Sequence, residues 1–258
     1  MSDKSLIDLT RHDAVAVISL RRPDRRNAVN AAMAGELRRA LTGIGADPAV
    51  RVAILTGDAA CFCAGMDLAA FLDGQGQEIN SGPGRFAGVA AHTLDIPLLA
   101  AVEGPALAGG FEMALACDMI VAGQDAFFGL PEVRVGLFPA AGGAFRLMRA
   151  LPPNLAMEML CAGRRLTAAE AHRFGLVNRL APAGTALATA LDLAREIAAM
   201  APIGVRAGLR LARAARDADA DRLWAENDAL WAVVSASADA AEGPRAFLEK
   251  RPPAWKGA

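Results

Sequence analysis

Short apolar, β-branched runs alternate along this chain with segments of helical period, and that alternation restricts it to a wound α/β core with largely parallel strand pairing. Val15-Ala-Val-Ile-Ser-Leu20 has the composition and length of a strand, and the turn-like Arg22-Pro23-Asp24 follows it. From Ala31 to Ile44, the apolar residues Met33, Leu37, Leu41 and Ile44 recur at intervals of four, four and three. That period predicts one buried helical face, with Glu36, Arg38 and Arg39 mostly on the other. Val50 to Leu55, Leu98 to Val102 and Met119 to Val121 read as further buried strands, and Phe111 to Cys117 as a short helix behind Gly109-Gly110. The Gly-rich stretch from Asp73 to Arg85 reads as a mobile surface loop. Beyond Gly142 the composition turns to Ala, Leu, Arg and Glu, which predicts a mostly helical final third. Thr167-Ala-Ala-Glu170 has the spacing of a capping box there, and Pro152-Pro153, Pro202 and Pro244 mark helix starts or breaks.

The 258 residues are 54% hydrophobic, which suffices for one substantial core. Lys and Arg number 27 against 28 Asp and Glu, so the balance excludes both a disordered chain and a dedicated nucleic-acid binder. Arg206, Arg210, Arg213 and Arg216 do recur at helical spacing, but Asp217, Asp219 and Asp221 offset them, and a solvated face explains the pattern. No apolar run reaches the roughly 20 residues of a membrane span. The N-terminus, Met-Ser-Asp-Lys-Ser-Leu-Ile-Asp-Leu-Thr-Arg-His-Asp13, mixes acids and bases and lacks the apolar core and small-residue cleavage site of a secretory signal, so a cytoplasmic, reducing setting is expected. The four cysteines then read as small buried hydrophobes, and Cys61 and Cys63 form only a Cys-x-Cys pair, so no metal site is expected. His12, His92 and His172 share no catalytic spacing and receive no role.

Chemistry concentrates in two small-residue turns, each placed after an expected strand. Cys61-Phe-Cys-Ala-Gly-Met-Asp-Leu68 sets a glycine before a helix start and leaves a backbone N–H near Met66 free. Gly104-Pro-Ala-Leu-Ala-Gly-Gly-Phe-Glu112 repeats the form, with a helix whose first N–H groups lack internal partners. Two such donors aimed at one point form an oxyanion hole. Gly109 and Gly110 would also admit a substrate close to the backbone. Many glycine-rich strand-to-helix turns bind nothing; what raises the interest is Glu112 in the first helical turn and Glu132 amid apolar residues, since buried carboxylates are costly unless used. Simpler roles for them are a dipole-complementing acid at 112 and a cap, or a partner of Arg134 or Arg146, at 132.

The motifs together resemble the enoyl-CoA hydratase/isomerase, or crotonase, family over almost the whole chain. They are Arg22-Pro-Asp-Arg-Arg-Asn-Ala28, Phe62-Cys-Ala-Gly-Met-Asp-Leu68, Ala108-Gly-Gly-Phe-Glu-Met-Ala-Leu-Ala-Cys-Asp118, and Phe128-Gly-Leu-Pro-Glu132 through Gly142-Gly143. Gly163-Arg-Arg-Leu-Thr-Ala-Ala-Glu-Ala171 and Gly175-Leu-Val-Asn178 continue the match. The resemblance implies an α/β spiral of ββα turns over residues 1–200 that binds an acyl-CoA, and a C-terminal helical trimerisation region over 201–258. It implies a homotrimer or homohexamer, with no cofactor beyond the coenzyme A of the substrate. By position, the thioester oxygen would lie between the N–H groups of Met66 and Gly109. Arg26, Ala28, Ala64, Met66, Asp67, Leu68, Gly109 and Gly110 would contact substrate or CoA, with the adenine near Ala64 and Ala28. Glu112 and Glu132, 20 residues apart, match the two acids of family hydratases, so the implied reaction is reversible addition of water to a 2-enoyl-CoA. An isomerase, another acyl-CoA enzyme of the fold, or a catalytically weak CoA binder are the alternatives. Phe111, Leu130, Ala140-Ala141 and the uncharged Ala69 depart from common family residues. Phosphate contacts would then come from Arg25, Arg26 or Lys256. The amphipathic stretch around Leu223, Trp224, Leu230 and Trp231 fits either a subunit interface or an internal core.

Overall fold

The computed structural model describes residues 5–215 and 218–258. Ile7–His12 (β1) pairs antiparallel with Val15–Leu20 (β2), and every later pairing in that sheet is parallel. Helix α1 (Ala31–Ala46) carries the chain over to β3 (Val52–Thr56). Asn30 caps α1 by accepting the Met33 N–H at 3.0 Å. Two short helices follow, α2 (Leu68–Ala70) and α3 (Gly76–Asn80), then β4 (Leu98–Val102), β5 (Pro105–Leu107), α4 (Gly109–Ala116), β6 (Met119–Gly123) and β7 (Phe127–Gly129). The remainder runs α5 (Gly143–Ala150), α6 (Pro153–Ala162), β8 (Arg165–Thr167), α7 (Ala168–Arg173), β9 (Arg179–Ala181), α8 (Ala186–Ala198), α9 (Pro202–Ala214), α10 (Ala220–Ser235) and α11 (Ala238–Leu248).

The strands form a six-stranded sheet, β1-β2-β3-β4-β6-β9, and a smaller one, β5-β7-β8, which Cys63 extends by a parallel bridge to Ala106. Three successive turns, β3 with Cys63, β4 with β5 and β6 with β7, thus spend one strand in the large sheet and one segment in the small sheet before a helix. Both faces of β2, β3, β4 and β6 are covered, which is why these strands are apolar without alternation. Val17, Ile54, Leu99 and Val121 pack with Ala190 and Ala194 of α8, while Ile18, Leu55, Leu98 and Ile120 face the main core with Met33, Leu37 and Phe62.

Most expected elements are present at shifted ends. The expected strand from Val50 begins at Val52 and runs on to Thr56, and α1 continues two residues past Ile44. The stretch from Asp73 to Arg85 is not loop throughout, since it contains α3, and Ile79 anchors it with its side chain fully buried. Pro244 neither starts nor breaks a helix but sits inside α11. Pro152-Pro153 and Pro202 do stand at helix starts, and the Thr167 and Glu170 capping box closes with Glu170 Oε2 accepting the Thr167 N–H at 2.9 Å. No residue of α9 or α10 is fully buried, and the two pack against each other. Among the described residues, no helix is long and apolar enough to cross a membrane.

Candidate active site

Two small-residue turns converge on one cavity, and the pairing pattern decides which backbone donors face it. Val29 and Met66 form a parallel bridge in which Val29 N–H donates to Gly65 O at 2.8 Å and Asp67 N–H donates to Val29 O at 2.9 Å. Parallel pairing of this kind uses the groups on either side of Met66 and leaves the Met66 N–H out of the ladder. Gly109 opens α4, so its N–H is among those with no acceptor inside the helix. Gly65, at φ 97°, lets the two turns meet: a Cβ there would lie 2.9 Å from Gly109 N and 2.8 Å from Ala108 Cβ. Ala108 itself is held at φ 50° and ψ −131°, a conformation side chains disfavour, and its N–H donates to Gly129 O at 2.9 Å.

Glu112 stands one turn into α4 and is buried. Its Oε1 accepts the Gly143 N–H at 2.7 Å, so it complements the N-terminus of α5 as well as its own helix. Gly143 must lack a side chain for this approach, because a Cβ would lie 2.9 Å from both Glu112 Cγ and Oε1. Burial pushes the Glu112 carboxyl up to about 7; the Gly143 N–H opposes that rise and the Glu132 charge adds to it. Glu132 begins a turn of 3-10 helix, Glu132–Val135, directly after Pro131. It is buried, and its Oε2 has no hydrogen-bond partner. Burial raises this carboxyl too. Arg134 does not pair with it, since its Nη2 donates instead to Gly163 O at 3.1 Å.

Both carboxylates open on a cavity of about 470 Å³, whose wall includes Ala64, Met66, Leu68 and Gly109. Four other expected contacts do not line it. Arg26 is exposed and reaches the site through its backbone, its carbonyl accepting the Ala64 N–H at 3.0 Å. Ala28 O accepts from Arg22 Nη1 at 2.8 Å. The Asp67 carboxylate is engaged within the protein: it accepts from Arg22 Nη1 at 2.6 Å and from the Ala69 N–H at 3.0 Å, capping α2. Gly110 is required by the fold, because a Cβ there would lie 2.2 Å from Cys63 O. Phe111 and Leu130 are fully buried away from the cavity wall, and Phe111 packs on Phe128 with ring centres 5.1 Å apart.

One residue inside a quoted motif has a role that its spacing did not disclose. Asn27 is fully buried at φ 55°, a conformation asparagine tolerates better than other side chains. Its Oδ1 accepts the Arg22 N–H, while Nδ2 donates to Asp58 Oδ2 and Cys61 O, all three at 2.9 Å. It therefore locks the segment 22–28 onto the turn that leads to Met66. Among the described residues, no cluster of three or more His, Cys, Asp or Glu side chains could hold a metal. Burial holds the thiols of Cys61 and Cys63 high, at about 11 and about 12, so both stay protonated. The arginine series on α9 is not a continuous stripe: Arg210 pairs with Glu226, and Arg213 turns inward to Asp118 at 2.6 Å. Arg216 and Asp217 lie outside the described residues.

A chain that passes successive turns through a large and a small sheet, with its helices outside, has the architecture of crotonase-fold enzymes. The crystal structure of an enoyl-CoA hydratase from Mycobacterium tuberculosis H37Rv superposes with a TM-score of 0.94 at 43% identity, covering 99% of this chain and 100% of that one. A carnitinyl-CoA hydratase from Mycobacterium avium superposes with a TM-score of 0.77 at 40% identity, covering 99% and 100%. A carnitinyl-CoA dehydratase of Citrobacter koseri is 40% identical over 97% of this chain and 98% of its own. The family model for enoyl-CoA hydratase/isomerase matches residues 10–258. The chain belongs to the enoyl-CoA hydratase/isomerase family and is an enoyl-CoA hydratase-like enzyme.

Proposed function

We propose that this enzyme catalyses the reversible addition of water to a 2-enoyl-CoA, giving a 3-hydroxyacyl-CoA. The observation that carries the reading is the presence of two buried carboxylates on one cavity, beside two backbone N–H groups that no protein acceptor uses. The thioester oxygen sits between the N–H groups of Met66 and Gly109. Glu112 takes a proton from the water that bonds to the β carbon, and negative charge moves through the conjugated system onto the thioester oxygen. Glu132 delivers a proton to the α carbon, and the charge returns. Elimination is the same sequence reversed. A base of pKa about 7 is matched to work near neutral pH. General acid-base catalysis contributes roughly 10² to 10⁴ in rate and an oxyanion donor about 10² to 10³, so the reaction needs both.

Coenzyme A lies along the segments 26–28 and 66–69, with the adenine near Ala64 and Ala28, and is part of the substrate, with no further cofactor. The carnitinyl-CoA relatives are named a dehydratase and a hydratase, which supports elimination or addition of water as the chemistry. A homotrimer, or a pair of trimers, is part of the same reading, with residues 201–258 as the trimerisation region. Trp224 and Trp231, each 67% exposed on α10, support an interface there over an internal core. A cytoplasmic setting completes it.

The test is the conjugated-thioester absorbance of crotonyl-CoA and of a longer 2-enoyl-CoA on adding enzyme, with the product mass. Loss of absorbance with a gain of one water supports hydration. Loss without that gain, or none while the thioesters bind, rejects it.

A further inference from the structure

The segment facing Gly109 across the cavity wall is folded under strain. Between Gly84 and Gly88 the chain doubles back so tightly that a Cβ at Gly84 would lie 2.0 Å from Gly88 O. A Cβ at Gly88 would lie 2.5 Å from Arg38 Cγ. Within this hairpin Arg85 takes φ 53° and ψ −136°, and Ala87 takes φ 55°, so two non-glycine residues occupy left-handed conformations on either side of Phe86. Such conformations persist only where the surroundings over-determine them. Here the surroundings are supplied by Arg38 of α1. Its Nη2 lies within hydrogen-bonding distance of the carbonyls of Glu78, Ile79, Ser81 and Arg85, at 2.9, 3.0, 2.6 and 3.3 Å.

What this construction fixes is the ring of Phe86. A Cβ at Gly109 would lie 2.5 Å from Phe86 Cζ and 2.7 Å from Cε1, so the ring tip fills the space a side chain would take at Gly109. The peptide that carries the Gly109 N–H is thus gripped twice, by the strained Ala108 before it and by the Phe86 ring against its Cα.

We propose that Phe86 is a positioning residue for the Gly109 donor, and that Arg38 holds it there from outside the site. The ring keeps the Gly109 N–H trained on the thioester oxygen, which rests on the reading of Met66 and Gly109 as the pair that receives that oxygen. Arg38 does not line the cavity, so its effect on the chemistry passes through the loop. A Phe86 that served only as cavity wall would govern substrate affinity. As a clamp, it governs charge stabilisation and therefore kcat.

The experiment uses Phe86→Leu, Phe86→Ala and Arg38→Met in the full chain, with Arg38→Lys as the conservative partner and thermal melting to verify folding. Turnover is measured with crotonyl-CoA. Polarisation of the bound carbonyl is measured with a cinnamoyl-CoA carrying a para-dimethylamino donor, whose absorption moves to the red as the thioester oxygen is stabilised. The expected result is a fall in kcat of about tenfold to a hundredfold in Phe86→Leu and Arg38→Met, because small misplacement of a preorganised donor has effects of that size. KM stays nearly constant, the red shift shrinks in parallel, and Arg38→Lys recovers part of both. A full red shift and full kcat in the folded variants, with only KM altered, overturns the clamp. If the unaltered protein itself gives no red shift, the donor pair is absent and the proposal falls with it, which separates the two failures.

Discussion

The Gly143 N–H donates to Glu112 Oε1 at 2.7 Å, so the first turn of α5 holds the carboxylate that the first turn of α4 carries. The contact fixes where one oxygen of Glu112 sits. A methyl group at residue 143 would meet Glu112 Cγ and Oε1 at 2.9 Å and push the carboxylate aside. Gly143→Ala is therefore expected to lower kcat by about 10²-fold, the effect of a misplacement near 1 Å, with a smaller change in KM. Steady-state kinetics with crotonyl-CoA check it.

The buried acids make stability depend on pH in an unusual direction. Burial lifts Glu112 from 4.5 unfolded to about 7 folded, so the folded chain holds that proton more tightly. Its contribution is complete below pH 4.5 and is lost as pH rises through 7, and Glu132, also raised by burial, acts with the same sign. The loss from Glu112 alone is about 3 kcal/mol above that range, from 1.36 kcal/mol for each pH unit between the two values. Urea unfolding between pH 5 and 8 at one protein concentration should show stability falling, and Glu112→Gln should reduce the slope. With Glu132 as the acid, the same pair predicts a bell-shaped kcat/KM for hydration, rising with pH as Glu112 deprotonates and falling as Glu132 loses the proton it delivers.

Glycines of the chain divide by what stands where a side chain would go. At Gly110 a Cβ would lie 2.2 Å from the Cys63 carbonyl, and both are backbone-bound, so neither yields. Gly110→Ala is expected to lose several kcal/mol, roughly the scale of severe core overpacking, and to accumulate as insoluble protein. At Gly43, in the middle of exposed α1 surface, nothing lies within 4 Å. Gly43→Ala should gain about 0.5 to 1 kcal/mol in a denaturant titration.

Trp224 and Trp231 present apolar surface on α10 that the chain does not cover. If that surface joins subunits, Trp231→Glu buries an unpaired charge in the interface, and the assembly should dissociate. Light scattering of the unaltered protein should give a trimer or hexamer mass, and that of Trp231→Glu a monomer mass.

The parts of the fold set by local pattern were readable from the residues. Met33, Leu37, Leu41 and Ile44 mark the buried face of α1 because they follow one helical period, and all four are in the core. Glu112 and Glu132 could be singled out because carboxylates among apolar residues are costly, and both are buried on the cavity. The features that escaped depend on contacts far apart in sequence. The demand for glycine at 110 comes from Cys63, which no local pattern reveals. The loop before Phe86 looked merely glycine-rich, whereas its shape is imposed by Arg38, more than 40 residues earlier. Left-handed Arg85, Ala87 and Ala108 carry no signature, since their side chains oppose the conformation and only the folded surroundings impose it. Pro244 misled because proline disfavours a helix interior, yet α11 runs through it.

The central claim is that Glu112 and Glu132 act as one unit on a 2-enoyl-CoA. Its most direct test is kcat/KM for crotonyl-CoA hydration in the unaltered enzyme, Glu112→Gln, Glu132→Gln and the double variant. The account predicts that each single substitution lowers kcat/KM by at least about 10²-fold and that the double variant is little worse than the poorer single one, as for groups serving the same step. Near-normal hydration by either single variant, with its fold intact, would contradict the two-acid mechanism.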